Sequence, residues 1–191
     1  MTEWEKMLSG ERYISTVPEV MEKRDIGRRR NAALNALEAD DYAGRTALLQ
    51  QTLGYCGERL WLLQPFFFTY GCNISIGNDT FINMNCTFLD SGHITVGERC
   101  LIGPDVKIYT SSHPTAPPRH FTDENGRLQI INFTRPVTIG NNVWIGGGTV
   151  ICPGVSIGDN CVIAAGSVAT KDIPADTMAA GNPCRVKKSL K

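Results

Sequence analysis

The chain has 191 residues, enough for one domain with a sizeable core and an appendage. Lysine plus arginine equals aspartate plus glutamate at 19 each, so no general attraction to nucleic acid or an anionic membrane is expected. No apolar run approaches the roughly 20 residues that span a bilayer, and Met1–Lys6 lacks the basic and apolar regions of a secretory signal, so a cytoplasmic location is expected.

Thr2 to Leu8 reads as a short helix stopped by Gly10. Pro18 to about Leu37 reads as a second helix, with Pro18 suited to the first turn. Val20, Met21, Ala33, Leu34 and Leu37 supply its apolar side, and Lys23, Arg24, Arg28, Arg29 and Arg30 read as a solvated face. Asp40 or Asp41 can cap a third helix that runs to about Leu53 and stops at Gly54. Arg59 to Phe68 is apolar and aromatic, as expected of a strand leading onto the next unit.

The next unit is a six-residue repeat. Large apolar residues lead each hexad at Ile76, Ile82, Phe88, Val96, Ile102 and Ile108, then at Ile139, Ile145, Ile151, Ile157 and Ile163. Four residues after these leaders come Thr80, Cys86, Gly92, Cys100 and Val106, then Val143, Thr149, Val155, Cys161 and Ser167. Hexads of this kind build a triangular prism, one short strand per side and about 18 residues per coil. The leader points inward, the small residue fits beside it, and Gly or Asn after the leader supplies the corner.

The repeat predicts a prism from about Tyr70 to Tyr109, resuming at Val137 and closing near Val168. Between Thr110 and Arg135 the period is lost in a proline-rich excursion, and long loops in compact folds are often functional. The expected division is a helical segment at 1–58, a prism at 59–169 with its loop at 110–135, and a cap at 170–191. Of the seven cysteines, Cys86, Cys100 and Cys161 fall on the small interior position. Cys56, Cys72, Cys152 and Cys184 form no Cys-x-x-Cys pair, so reduced structural thiols and no metal are expected.

Several motifs lie outside the bare repeat: Met7-Leu8-Ser9-Gly10-Glu11-Arg12-Tyr13, Tyr70-Gly71-Cys72-Asn73-Ile74, Phe81-Ile82-Asn83-Met84-Asn85, and Ser112-His113-Pro114. Asn141-Asn142-Val143-Trp144-Ile145-Gly146-Gly147, Thr170-Lys171-Asp172-Ile173-Pro174 and Ala180-Gly181-Asn182-Pro183 follow. With these the chain resembles the maltose/galactoside O-acetyltransferases over nearly its whole length. The resemblance implies a left-handed parallel β-helix, a handedness the repeat itself does not reveal. It also implies a homotrimer with active sites between subunits, and acetyl transfer from acetyl-CoA to a hydroxyl of a sugar or similar acceptor, with no metal required.

The resemblance assigns His113 as the catalytic base. A histidine suits that role near neutral pH, and Pro114 helps hold the departing backbone extended. Asn83 matches the residue that binds acceptor and the transition-state oxygen, and Asn85 offers the same chemistry. Asp90 stands at an acceptor-site position, where it can accept hydroxyl hydrogen bonds, orient His113 or serve as an ordinary turn aspartate, and Thr69 stands where a serine can contact the acceptor. For acetyl-CoA the resemblance implies backbone groups near Gly147 and Ala165, with Thr170, Lys171, Arg185 and Lys188 toward the pantetheine or nucleotide end and Trp144 lining the pocket.

The acceptor half departs from the family pattern: Ile14 and Ser15, Ser91, and Asn132 stand where relatives carry acids. Three other functions fit a prism. A zinc enzyme needs three converging histidines, and only His93, His113 and His120 exist here. A non-catalytic trimeric scaffold and an N-acetyltransferase of an amino sugar or drug are the others.

Overall fold

A computed structural model describes all 191 residues. Helix α1, Glu3–Ser9, starts with a capping box, in which Glu5 N–H donates to Thr2 Oγ1 at 3.2 Å and Thr2 N–H to the Glu5 carboxylate at 2.8 Å. Gly10 ends it in the left-handed region at φ 83°. Helix α2, Pro18–Asn35, begins on its proline. Its inward face is narrower than expected: Val20, Gly27 and Leu34 are buried, while Met21 and Ala33 face solvent. Asn31 and Asn35 donate to the Phe66 carbonyl at 2.8 and 2.9 Å and pin α2 to the prism. Helix α3, Tyr42–Thr52, is capped by Asp41, whose side chain accepts from Gly44 N–H at 2.8 Å.

The rest is a parallel β-helix with three faces. The first stacks Tyr55–Cys56, Ile74–Ile76, Ile94–Val96, Val137–Ile139 and Ser156–Ile157. The second stacks Trp61–Leu62, Phe81–Ile82, Leu101–Ile102, Trp144–Ile145, Val162–Ile163 and Thr177–Ala180. The third stacks Phe66–Phe68, Cys86–Leu89, Lys107–Tyr109, Val150–Ile151 and Val168–Ala169.

The prism extends beyond the expected span at both ends. Its first coil starts at Tyr55, ahead of Arg59, because Cys56, Leu62 and Phe68 lead hexads without an isoleucine to advertise them. They register with Ile76, Ile82 and Phe88. At the far end Ile173 bridges to Ile157 and Ala179 pairs with Ile163, so the segment expected as a cap carries a further partial coil. The strand Arg185–Ser189 then folds back antiparallel on Thr177–Ala180.

The repeat leaders form the core: Ile82, Ile102, Ile108, Ile145 and Ile151 are fully buried. Each such side chain contributes about 2 kcal/mol of burial. The small interior residues also close polar corners. Thr149 and Ser167 hydroxyls donate to the Gly146 and Ala164 carbonyls at 2.7 and 2.6 Å, and the Cys161 thiol lies 3.1 Å from the Pro174 carbonyl. Asn142 and Asn160 turn corners at φ 54° and 58° and stack in a side-chain ladder at 2.9 Å.

The excursion is ordered by two antiparallel pairs, Ser111–Ser112 with Phe133–Thr134 and His120–Thr122 with Leu128–Ile130. The N-terminal segment is stitched to it: Tyr13 N–H donates to the Asn132 carbonyl at 3.2 Å and the Thr16 hydroxyl to Gln129 at 2.7 Å. No helix is long and apolar enough to cross a membrane.

Candidate active site

The expected site residues separate onto two edges of the prism. Thr69, Asp90, Ser91 and His113 follow strands of the third face, at the edge where the excursion leaves; this is the loop edge. Asn83, Asn85, Gly103 and Gly147 follow strands of the second face or its next corner, at what becomes the glycine edge, and Ala165 stacks on the same corner.

On the loop edge, His113 Nδ1 lies 3.0 Å from the Ile131 carbonyl. A carbonyl only accepts, so Nδ1 carries the proton and the neutral ring keeps its lone pair on Nε2. The antiparallel pair at the root of the excursion sets this contact by bringing the chain at 133–134 back beside 111–112. His113 lines a cavity of about 470 Å³ with Ser112, Thr115, Phe133, Arg135 and Pro153.

Asp90 does not face that cavity. It is 0% exposed, and its carboxylate accepts from the backbone N–H of Thr69, Tyr70 and Gly71 at 2.9, 2.8 and 2.7 Å. Burial pushes the carboxyl up to about 6, against the three N–H bonds that favour its charged form. These three bonds fix the Thr69–Gly71 turn. Ser91 is nearly buried and accepts from the Ser111 hydroxyl at 2.9 Å.

On the glycine edge a groove of about 770 Å³ is lined by Asn83, Gly103, Pro104, Trp144, Gly147 and Ala165, among others. Asn83 Oδ1 accepts from Met84 N–H at 2.8 Å, which leaves its amide NH2 without a partner in the chain. Asn85 differs: its amide donates to Asp105 at 2.5 Å in a corner ladder. The backbone N–H groups of Gly147 and Ala165 make no hydrogen bond within the chain. Gly103 keeps the corner open, since a Cβ there would come within 2.6 Å of Gly147 N.

Within one chain the structure does not bring His113 and Asn83 together; they belong to different edges and line different cavities. Thr170 and Lys171 follow Val168–Ala169 and so lie, exposed, on the loop edge rather than beside Gly147 and Ala165. Arg185 and Lys188 are exposed on the outermost strand of the second face. Trp144 is 56% exposed, in a column with Trp61, Phe81, Leu101, Val162 and Met178 along the outside of the second face. No group of three His, Cys, Asp or Glu side chains comes together as metal ligands would. All seven cysteines are free.

Sequence reasoning passed over Tyr13 and Arg24. Tyr13 is buried in a small core with Met7, Val20 and Tyr70, and Arg24 reads as one more cation in a charged run. The available signal was Gly27, a mid-helix glycine one turn beyond Arg24, where a Cβ would lie 2.2 Å from the Thr69 carbonyl oxygen.

Stacked hexads, a helical segment packed against the first coil and functional groups confined to the edges define a hexapeptide-repeat β-helix protein. Residues 136–171 match the model of the bacterial transferase hexapeptide (six repeats), and residues 6–57 match the maltose acetyltransferase hexapeptide capping motif. Over 97% of its length the chain is 38% identical to the galactoside O-acetyltransferase of Escherichia coli K12, covering 88% of that protein. The crystal structure of a maltose O-acetyltransferase from Clostridium difficile 630 superposes with a TM-score of 0.91 at 42% identity, over 100% of this chain and 98% of that one. A galactoside acetyltransferase in complex with coenzyme A gives 0.90 at 38% identity, over 100% of this chain and 92% of that one. The chain belongs to the maltose/galactoside O-acetyltransferase family.

Proposed function

We propose that this protein moves the acetyl group of acetyl-CoA to a hydroxyl of a sugar or sugar-like acceptor, at sites shared between neighbouring copies of a homotrimer. The observation that carries the reading is the hydrogen bond from His113 Nδ1 to the Ile131 carbonyl, which leaves Nε2 as a base beside an open cavity. Nε2 takes the acceptor's hydroxyl proton as the oxygen attacks the thioester carbonyl carbon. The free amide of Asn83, supplied by the neighbouring copy, donates to the developing oxyanion. Collapse of that intermediate breaks the C–S bond, and the imidazolium returns its proton to the departing thiolate. No cysteine, serine or lysine side chain is hydrogen-bonded to His113, which supports direct transfer without an acetyl-enzyme.

The separation of the edges and the column Trp61, Phe81, Leu101, Trp144, Val162 and Met178 support association of copies into the trimer. The outward side of the first face carries Tyr55, Ser75, Thr95, Thr138 and Ser156, far more polar. An exposed apolar column of that kind is a docking surface, and a neighbouring copy docked there brings its loop edge toward this chain's glycine edge. The coenzyme's pantetheine amides then meet Gly147 and Ala165. Lys171 and Thr170 of one copy and Arg185 and Lys188 of the other flank its phosphates. The galactoside acetyltransferase complex with coenzyme A supports this choice of donor. Seven unpaired thiols fit a reducing compartment, the cytoplasm.

The test is free-CoA release from acetyl-CoA over a panel of sugars, thiogalactosides, amino sugars and aminoglycosides, with wild type beside His113→Ala. Acceptor-dependent release that collapses in the variant supports the reading. Release only with amine acceptors moves it to N-acetyl transfer, and failure to bind acetyl-CoA moves it to a scaffold.

A further inference from the structure

Apart from the two edges lies a cavity that acetyl transfer does not use. It has a volume of about 360 Å³ and opens between helix α3 and the strand Trp61–Leu62 that starts the second face. Tyr42 and Trp61 line it as rings that are 60% and 58% exposed, meeting edge to face with centroids 6.2 Å apart. Leu49 and Leu62 line it from the core and are buried.

Arg45 lines the same cavity, yet is only 5% exposed. Its Nε donates to Gln64 Oε1 at 3.0 Å and its Nη2 to the Ala39 carbonyl at 2.7 Å, while Nη1 makes no hydrogen bond within the chain. Both acceptors are neutral. Gln64 is fixed in that orientation because its amide NH2 donates to the Leu34 and Leu37 carbonyls. None of the chain's ion pairs includes Arg45, and its guanidinium lies over the Tyr42 ring, 5.4 Å from the centroid. Asp41 is occupied as the cap of α3. The second cation on the cavity, Arg59, is already met: Nε and Nη2 donate to Asp79 at 2.5 and 2.8 Å, and Nη1 to Glu58 at 3.1 Å. A buried guanidinium without a counter-charge is costly, and the cavity beside Arg45 has room for one.

We propose that this cavity binds a small aromatic carboxylate, its acid group on Arg45 and its ring against Trp61, Leu49 and Leu62. The inference needs no part of the acetyl-transfer reading. A carboxylate meets a guanidinium in a planar, charge-assisted contact. Arg45 alone lacks a counter-ion, so one negative charge balances the site, whereas a phosphate dianion leaves a charge unmet among leucines. Exposed aromatic faces over an apolar floor suit a flat ring, and the volume is that of a small-molecule pocket. Trp61 also ends the apolar column of the second face, so the protein is tested in its assembled form.

The test is calorimetric titration of the purified full chain with phenylacetate, phenylacetamide and phenyl phosphate, with and without coenzyme A. Phenylacetate is expected to bind in both conditions, about tenfold or more tightly than the neutral amide and more tightly than phenyl phosphate. Arg45→Gln brings the acid-to-amide ratio to about one. Thr46→Glu, at an exposed α3 position on the cavity, sets a like charge beside the ligand and weakens phenylacetate about tenfold or more with melting near wild type. Should Arg45→Gln fail to fold, Thr46→Glu decides. No binding of phenylacetate up to about 10 mM, as when a neighbouring copy seals the cavity, overturns the proposal. So do equal affinities for acid and amide in wild type, tighter binding of phenyl phosphate, displacement of phenylacetate by coenzyme A, or an unchanged affinity in Thr46→Glu.

Discussion

Replacing Asp90 with alanine removes the one acceptor shared by three consecutive backbone N–H groups, those of Thr69, Tyr70 and Gly71. Tyr70 and Gly71 are buried and Thr69 half-buried, so water cannot freely replace the lost partner. Two buried donors at about 1–3 kcal/mol each, with a smaller cost for Thr69, give a loss of about 4 kcal/mol. For a chain of this size that corresponds to a fall in Tm of about 10 °C or more. The assay is thermal unfolding by circular dichroism at fixed protein concentration, because association raises apparent stability. Asp90→Asn, which keeps one carbonyl oxygen, is expected to lose roughly half as much. A shift of less than about 2 °C in Asp90→Ala would refute the view that this carboxylate organises the turn.

Other outcomes follow from the same geometry. His113→Ala is expected to lower kcat by about a hundred- to ten-thousand-fold, with acetyl-CoA affinity retained, as read by steady-state kinetics and calorimetry. Gly103→Ala puts a Cβ within 2.6 Å of Gly147 N and displaces that corner, so coenzyme A affinity falls while melting changes little by comparison. Leu101→Asp charges the middle of the exposed column on the second face and is expected to drop the mass in light scattering from three chains of 20.9 kDa to one. Asp90 has a pH signature. Burial raises its carboxyl from 3.8 to about 6, so the folded state holds that proton more tightly than the unfolded one. Its contribution is fullest below about pH 4 and is lost as pH rises through about 6. The stability advantage of wild type over Asp90→Asn in urea melts therefore shrinks between those pH values.

The prism was legible because its signal is local and repeated. An isoleucine every six residues fills the interior, and a small residue four positions later leaves room for it. The signal failed where other side chains fill the same places. Cys56, Leu62 and Phe68 lead the first coil, and Ile173 and Ala179 extend the last, yet no run of leading isoleucines marks either set. The site was legible in a different way. His113 and Asn83 were marked by motif resemblance, but the proton on Nδ1 depends on a carbonyl 18 residues away, brought close only by the return of the excursion. For Asp90 the sequence left an acceptor contact and an ordinary turn aspartate equally open, because it does not say which way such a side chain points. Arg24 was hidden among five cations on one helix, and only packing shows that its Nε is buried without a partner.

Mixing two inactive variants tests the shared site most directly. His113→Ala lacks the base on every loop edge and Asn83→Ala lacks the amide on every glycine edge. In a mixed trimer, one edge pair of three recovers both groups, so random reassortment is expected to restore about a quarter of wild-type acetyl transfer. Mixed trimers, verified by native mass spectrometry, that remain as inactive as their parents would contradict a site built from His113 of one copy and Asn83 of the next.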